Sequence, residues 1–249
     1  MLTYGLIAAG ALVLVFAAYD LRARLINRGV VRALVPQVQK MRTLAHQVVS
    51  YRQPRADEPI PLDLQPLFDA ADQELRAAGL TVLGDLMEVH PDGRPFGQSR
   101  WFVDESRTIS GWFGVTRKRE KRELTPVMIV FSESSSGDFF MTARGAPRTA
   151  LTQPPMIHRT YCQWSDGVTT TLGRHRAAFM SVGATLVEQP VTLEAGPAIV
   201  ARLRDTTARW RGSQPPAELL ERDVQALLGD TFPVIGRQVI RALTAADRA

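Results

Sequence analysis

His158, Cys162 and His175 are the residues of this chain whose types best suit a metal, since imidazole nitrogen and thiolate sulfur are the usual zinc donors. Their spacing leaves three and then twelve residues between donors and supplies no fourth, which fits no common zinc arrangement. His175 also falls on the apolar face of a helical pattern, where a hydrogen-bonded core histidine is the ordinary occupant. A second candidate is "SESSSGD", residues 132–138, whose hydroxyls, carboxylates and glycine are the materials of a phosphate loop or a nucleophile site. It lies between two strand patterns, where Ser, Gly and Asp build turns, and no helix follows at once to offer an anion-binding N-terminus. His90 and Asp92 in "HPDG" have the types of an acid–base pair and equally the types of a turn. Trp101, Trp112, Phe113, Phe139 and Phe140 can stack on bases, but their alternation along strands predicts packing in a core. The sequence holds no G-x-G-x-x-G, G-x-x-x-x-G-K-[ST], H-E-x-x-H or G-x-S-x-G, so no motif names a nucleotide, zinc-peptidase or serine-hydrolase reaction. No cofactor or metal is expected.

The densest charge lies in "VTRKREKRELT", residues 115–125, with Arg117, Lys118, Arg119, Lys121 and Arg122 among Glu120 and Glu123. Flanked by strand patterns, it reads as the tip of a long hairpin. It either keeps that tip in water or forms a surface patch, and its two acids cancel part of any attraction to an anionic partner. The net charge of +5 has another origin. Residues 20–55 set Arg22, Arg24, Arg28, Arg32, Lys40, Arg42, Arg52 and Arg55 against Asp20 alone, which more than accounts for the excess. The rest of the chain is close to neutral, so nucleic acid is not an expected partner.

Just upstream runs "LTYGLIAAGALVLVFAAY", Leu2 to Tyr19, without a charge. At ~1.5 Å per residue a helix of this length covers about 27 Å, enough for a bilayer's hydrocarbon core. No Lys or Arg precedes it and four arginines follow, the order of an anchor that is kept rather than a signal peptide that is cleaved. Basic residues stay on the cytoplasmic side, so a single-pass protein of the cell membrane is expected, N-terminus outside and C-terminal domain in the cytoplasm. Arg22, Arg24, Arg28 and Arg32 are the candidates for contact with anionic lipid. A single cysteine agrees with a reducing compartment.

Val31, Leu34, Val38, Met41, Ala45 and Val48 recur at alternating steps of three and four. They predict a stalk helix starting near Pro36, which pairs weakly with a second copy or lies on the domain. The expected organisation is an anchor over 1–20, a basic juxtamembrane and stalk segment over 21–51, a Pro-rich linker over 52–62, an α+β domain over 63–183 and a helical part over 184–249. Within the domain, a helix over Leu64–Leu75, stopped at Gly79, precedes strands near 80, 99, 108, 125 and 138. "MIHRTYCQW" offers one more strand, and a closing helix runs over 168–182. Spacings this short leave no room for crossover helices, so the expected fold is an antiparallel sheet of about five strands flanked by helices. The function expected from these features is a membrane-tethered, cytoplasm-facing, non-catalytic interaction or scaffold module that docks on the anionic leaflet or on a protein partner. The alternatives are a lipid or apolar-ligand cup, or an enzyme without a recognisable motif.

Overall fold

The computed structural model describes residues 29–36, 38–39, 42, 50–117, 124–146 and 151–246. Its centre is a seven-stranded sheet in sequential order. The strands are β1 (Ser50–Arg52), β2 (Leu80–Val89), β3 (Pro95–Asp104), β4 (Ser110–Arg117), β5 (Leu124–Glu133), β6 (Phe139–Arg144) and β7 (Ile157–Cys162). Helices α1 (Gln65–Ala77), α2 (Gly167–Met180), α3 (Ala195–Ser213), α4 (Pro216–Leu228) and α5 (Phe232–Ala246) complete the fold. The α+β class holds, with seven strands where about five were expected. β1 falls where the stalk and linker were expected, and pairs antiparallel with β2 through Ser50↔Val89 and Arg52↔Met87. Three residues are too short to carry a period. Arg52 then grips Glu58 with two 2.6 Å contacts and folds the next residues back. β7 is the second departure, because it pairs parallel with β6, Phe139↔Ile157 through Arg144↔Cys162. The chain between Arg144 and Ile157 returns to the end of the sheet at which β6 began.

Strand alternation sorts the sheet into two apolar faces. Phe102, Met128 and Val130 point to one face and pack with Leu75 of α1 and Val168 and Leu172 of α2. Phe68 of α1 meets Phe113 edge-on at 5.0 Å. On that same face, Arg100 holds Asp85 at 2.8 and 3.0 Å and lies over the Phe68 ring, while Arg144 joins Glu74 of α1 and stacks on Trp164 at 3.9 Å. Val127, Ile129, Phe131 and Ala143 point to the other face and pack under Ile199 and Leu203 of α3. Each such fully buried side chain contributes about 1.5–3 kcal/mol. α3 approaches closely because Gly196 lies directly on Trp101, where a Cβ would strike the indole. The link from α2 to α3 runs along the end of β5. Thr185 accepts from the Ser135 amide, Val187 donates to Glu133 and Gln189 donates to Arg107. Among the described residues, the sheet's compact unit takes in residues 50–117, 124–146 and 153–213.

Among the described residues, a second compact unit takes in residues 29–36, 38–39, 42, 151–152 and 214–246. In it Val38, Leu220, Val224, Val239 and Leu243 form a buried core, joined by Val31, Leu34 and Val35. The stalk residues Val31, Leu34 and Val38 are thus covered by α4 and α5 of their own chain. Their helix is already formed at residues 29–36, ahead of the start expected near Pro36. The Thr152 amide donates to buried Asp223 of α4 at 2.8 Å. Among the described residues no helix is long and apolar enough to cross a membrane. The apolar run 2–19 lies outside the described residues.

Candidate interaction surface and polar clusters

His175 is fully buried on α2 between two strands of the sheet. Its Nε2 lies 3.0 Å from Ser132 Oγ on β5 and its Nδ1 2.9 Å from Thr142 Oγ1 on β6. Because the Ser132 hydroxyl donates to the Thr108 carbonyl at 2.8 Å, its oxygen is left to accept, which assigns the proton to Nε2 and makes Thr142 the donor to Nδ1. Both nitrogens are satisfied in the neutral ring. Burial, with Arg176 adding to it, pushes the imidazole down from 6.5 to about 4. The residue is a latch between helix and sheet. His158 and Cys162 sit on β7, and among the described residues no three His, Cys, Asp or Glu side chains gather as a metal group.

At one end of the sheet the structure combines two candidates that sequence spacing kept apart. The "SESSSGD" segment is the β5–β6 turn, closed by Gly137 donating to Ser134 and by Gly137 at φ 86°. Asp138 reaches His158 Nε2 through Oδ1 at 3.2 Å and receives Ser136 Oγ on Oδ2 at 2.7 Å. Ser136 and then His158 hold the Asp138 carboxyl below the usual aspartate range. The His158 ring stacks on Phe140 at 4.7 Å and 13°. The carboxylate stands between hydroxyl and imidazole, so the order is Ser–Asp–His. A serine nucleophile instead requires its hydroxyl on the imidazole. What this cluster does is pin a turn and orient one half-exposed imidazole.

Beside it, the end of α2 and the segment that follows expose several apolar side chains. Met180 is 71% exposed, Val182 57%, Val191 49% and Val187 39%. The segment's backbone is hydrogen-bonded in part. Ala184 donates to Phe179, Val187 to Glu133 and Gln189 to Arg107, while Arg107 pairs with Glu188 and Arg202 of α3 with Glu133.

A third cluster escaped sequence reasoning. Tyr51 of β1 stands opposite Glu88 of β2, and its ring meets Trp101 edge-on at 5.6 Å. Burial pushes the Glu88 carboxyl up from 4.5 to about 7 against the opposing pull of Arg204 on α3. It likewise pushes the Tyr51 hydroxyl up. On the same face, burial lowers Arg159, whose partner is Tyr161.

The other expected sites are placed as follows. His90 and Asp92 form the β2–β3 turn, with Asp92 bound by Arg94 at 2.8 Å. Trp101, Phe113, Phe139 and Phe140 are core residues and Trp112 is partly buried. Arg32 is exposed on the N-terminal helical segment, while Arg22, Arg24 and Arg28 lie outside the described residues. Arg117 closes β4 opposite Leu124, and Lys118, Arg119, Lys121 and Arg122 of the hairpin tip lie outside the described residues. No protein-family model, curated protein or solved structure matches this chain.

Proposed function

We propose that the chain is a membrane-tethered interaction module, anchored through residues 2–19 with its C-terminal domain in the cytoplasm. The observation that supports this reading is the exposure of Met180, Val182, Val187 and Val191, of which Val182 and Val187 donate backbone hydrogen bonds to Phe179 and Glu133. Both faces of the sheet are filled by side chains, and the buried His175 and Arg144 and the partly buried Arg100 are engaged in holding helices to the sheet. This favours binding at the surface over enclosure of a ligand. The occupant that suits exposed Met and Val beside an Arg107–Glu188 pair is a protein surface with an apolar centre and a polar rim.

The test places a photo-crosslinking side chain at Val182 in the full chain in native membranes, with exposed Thr170 on α2 as control. Val182 should give a discrete adduct, weakened at least fivefold by Met180→Asp, and Thr170 should give none. Equal labelling at the two sites would sink this surface. A reporter active only in the cytoplasm, fused to the C-terminus, should be active; activity only on the other side of the membrane would sink the tether.

A further inference from the structure

α5 presents Arg237 and Arg241 one turn apart, both exposed, and among the described residues neither guanidinium has a hydrogen-bond or ion-pair partner. With Gln238, Phe232, Pro233 and Glu221 of α4 they line an open groove of about 530 Å³. Gly236 shapes it, because a Cβ there would collide with the Phe232 ring, which lies back along the helix. The groove thus joins two unspent cations to an apolar wall, and Glu221 adds one acceptor. Its helices share their core with Val31, Leu34, Val35 and Val38. Gly29, where that helical segment begins, stands ten positions after Tyr19, the last residue of the apolar run. Ten extended residues reach at most about 35 Å, so a chain anchored by that run keeps this unit within reach of the head groups.

We infer that the groove between α4 and α5 binds the head group of an acidic phospholipid. Planar guanidiniums grip phosphate oxygens in pairs, and two on successive turns match a phosphate diester better than a zwitterion, whose ammonium they repel. Phe232 and Pro233 offer apolar contact to the glycerol end, and Glu221 accepts a head-group hydroxyl. The inference rests on the tethered reading, which supplies the bilayer.

The experiment uses the full chain in neutral detergent, titrated with phosphatidylglycerol, phosphatidylcholine or inorganic phosphate and read by native mass spectrometry. Phosphatidylglycerol should be retained over phosphatidylcholine. R237Q/R241Q should weaken its retention about 30-fold, each basic side chain near an anionic surface being worth roughly fivefold. R222Q, at an arginine already paired with Glu218 and Gln214, should change nothing. Equal retention by the double variant would overturn the proposal, as would phosphatidylcholine bound as tightly or inorganic phosphate displacing the lipid at equal concentration. If the double variant melts lower than wild type, R241Q alone must still lose about fivefold. A C-terminal reporter on the wrong side sinks the tether and leaves the detergent result standing, whereas lost lipid selectivity sinks the groove and leaves the tether.

Discussion

Burial pushes His175 down from 6.5 to about 4 and Glu88 up from 4.5 to about 7, and the two act on stability with opposite sign. Below pH 6.5 the unfolded chain protonates the imidazole and the folded chain does not, so His175 withdraws stability as pH falls toward 4. Above pH 4.5 the unfolded chain releases the carboxyl proton and the folded chain keeps it, so Glu88 withdraws stability as pH rises toward 7. Each slope is at most about 1.4 kcal/mol per pH unit, and between pH 4.5 and 6.5 they oppose each other. The urea midpoint of E88Q should therefore climb from pH 5 to 6.5 while that of wild type stays nearly level. A level E88Q profile would remove His175 from this role. The core position of His175 was legible in its helical spacing with Val168, Thr171 and Leu172. Its partners Ser132 and Thr142 were not, because they arrive from strands distant in sequence. Glu88 stayed hidden because an acid in an alternating strand reads as solvent-facing, and only α3 closing that face buries it.

Among the elements, two glycines in helices carry opposite consequences. Gly196 of α3 is seated on Trp101, whereas Gly173 of α2 has nothing within 4 Å of where a Cβ would stand. Gly196→Ala should destabilise by about 1–3 kcal/mol through overpacking, and Gly173→Ala should stabilise by about 0.5–1 kcal/mol through helix propensity. Denaturant midpoints measure both, and equal shifts would refute the close seat of α3. The strands from Leu80 to Arg144, the strand in "MIHRTYCQW" and helices α1 and α2 were legible because period and turn residues agree locally. Gly79 and Gly183, both at positive φ, close α1 and follow α2 where helix-stop residues were read. The direction of β7 is absent from its own pattern, since alternation is the same for parallel and antiparallel neighbours. It is set by the return of the chain after Arg144.

For the whole molecule, contacts cross the Pro-rich segment 52–62 that was expected as a linker. β1 on its N-terminal side is paired with β2, and Val31, Leu34, Val35 and Val38 share a core with α4 and α5. A protease cut between Gln53 and Leu62 in detergent-solubilised protein should leave two fragments that co-elute in size exclusion and separate only in denaturant. Separate elution without denaturant would show that these contacts do not hold the chain together. Composition alone could not reveal this, because the apolar partners of the N-terminal segment lie at the far end of the sequence. That same closure of one end of the chain on the other has a consequence for biosynthesis. The sheet unit's strands and covering helices are consecutive in the chain and can form as they emerge, but Val38 must wait for Leu220. At roughly 5–20 residues per second that delay is on the order of ten seconds or more. Through that interval the apolar flank of residues 31–38 stands open on the nascent chain. Its shelter then depends on a chaperone, until α4 and α5 have emerged.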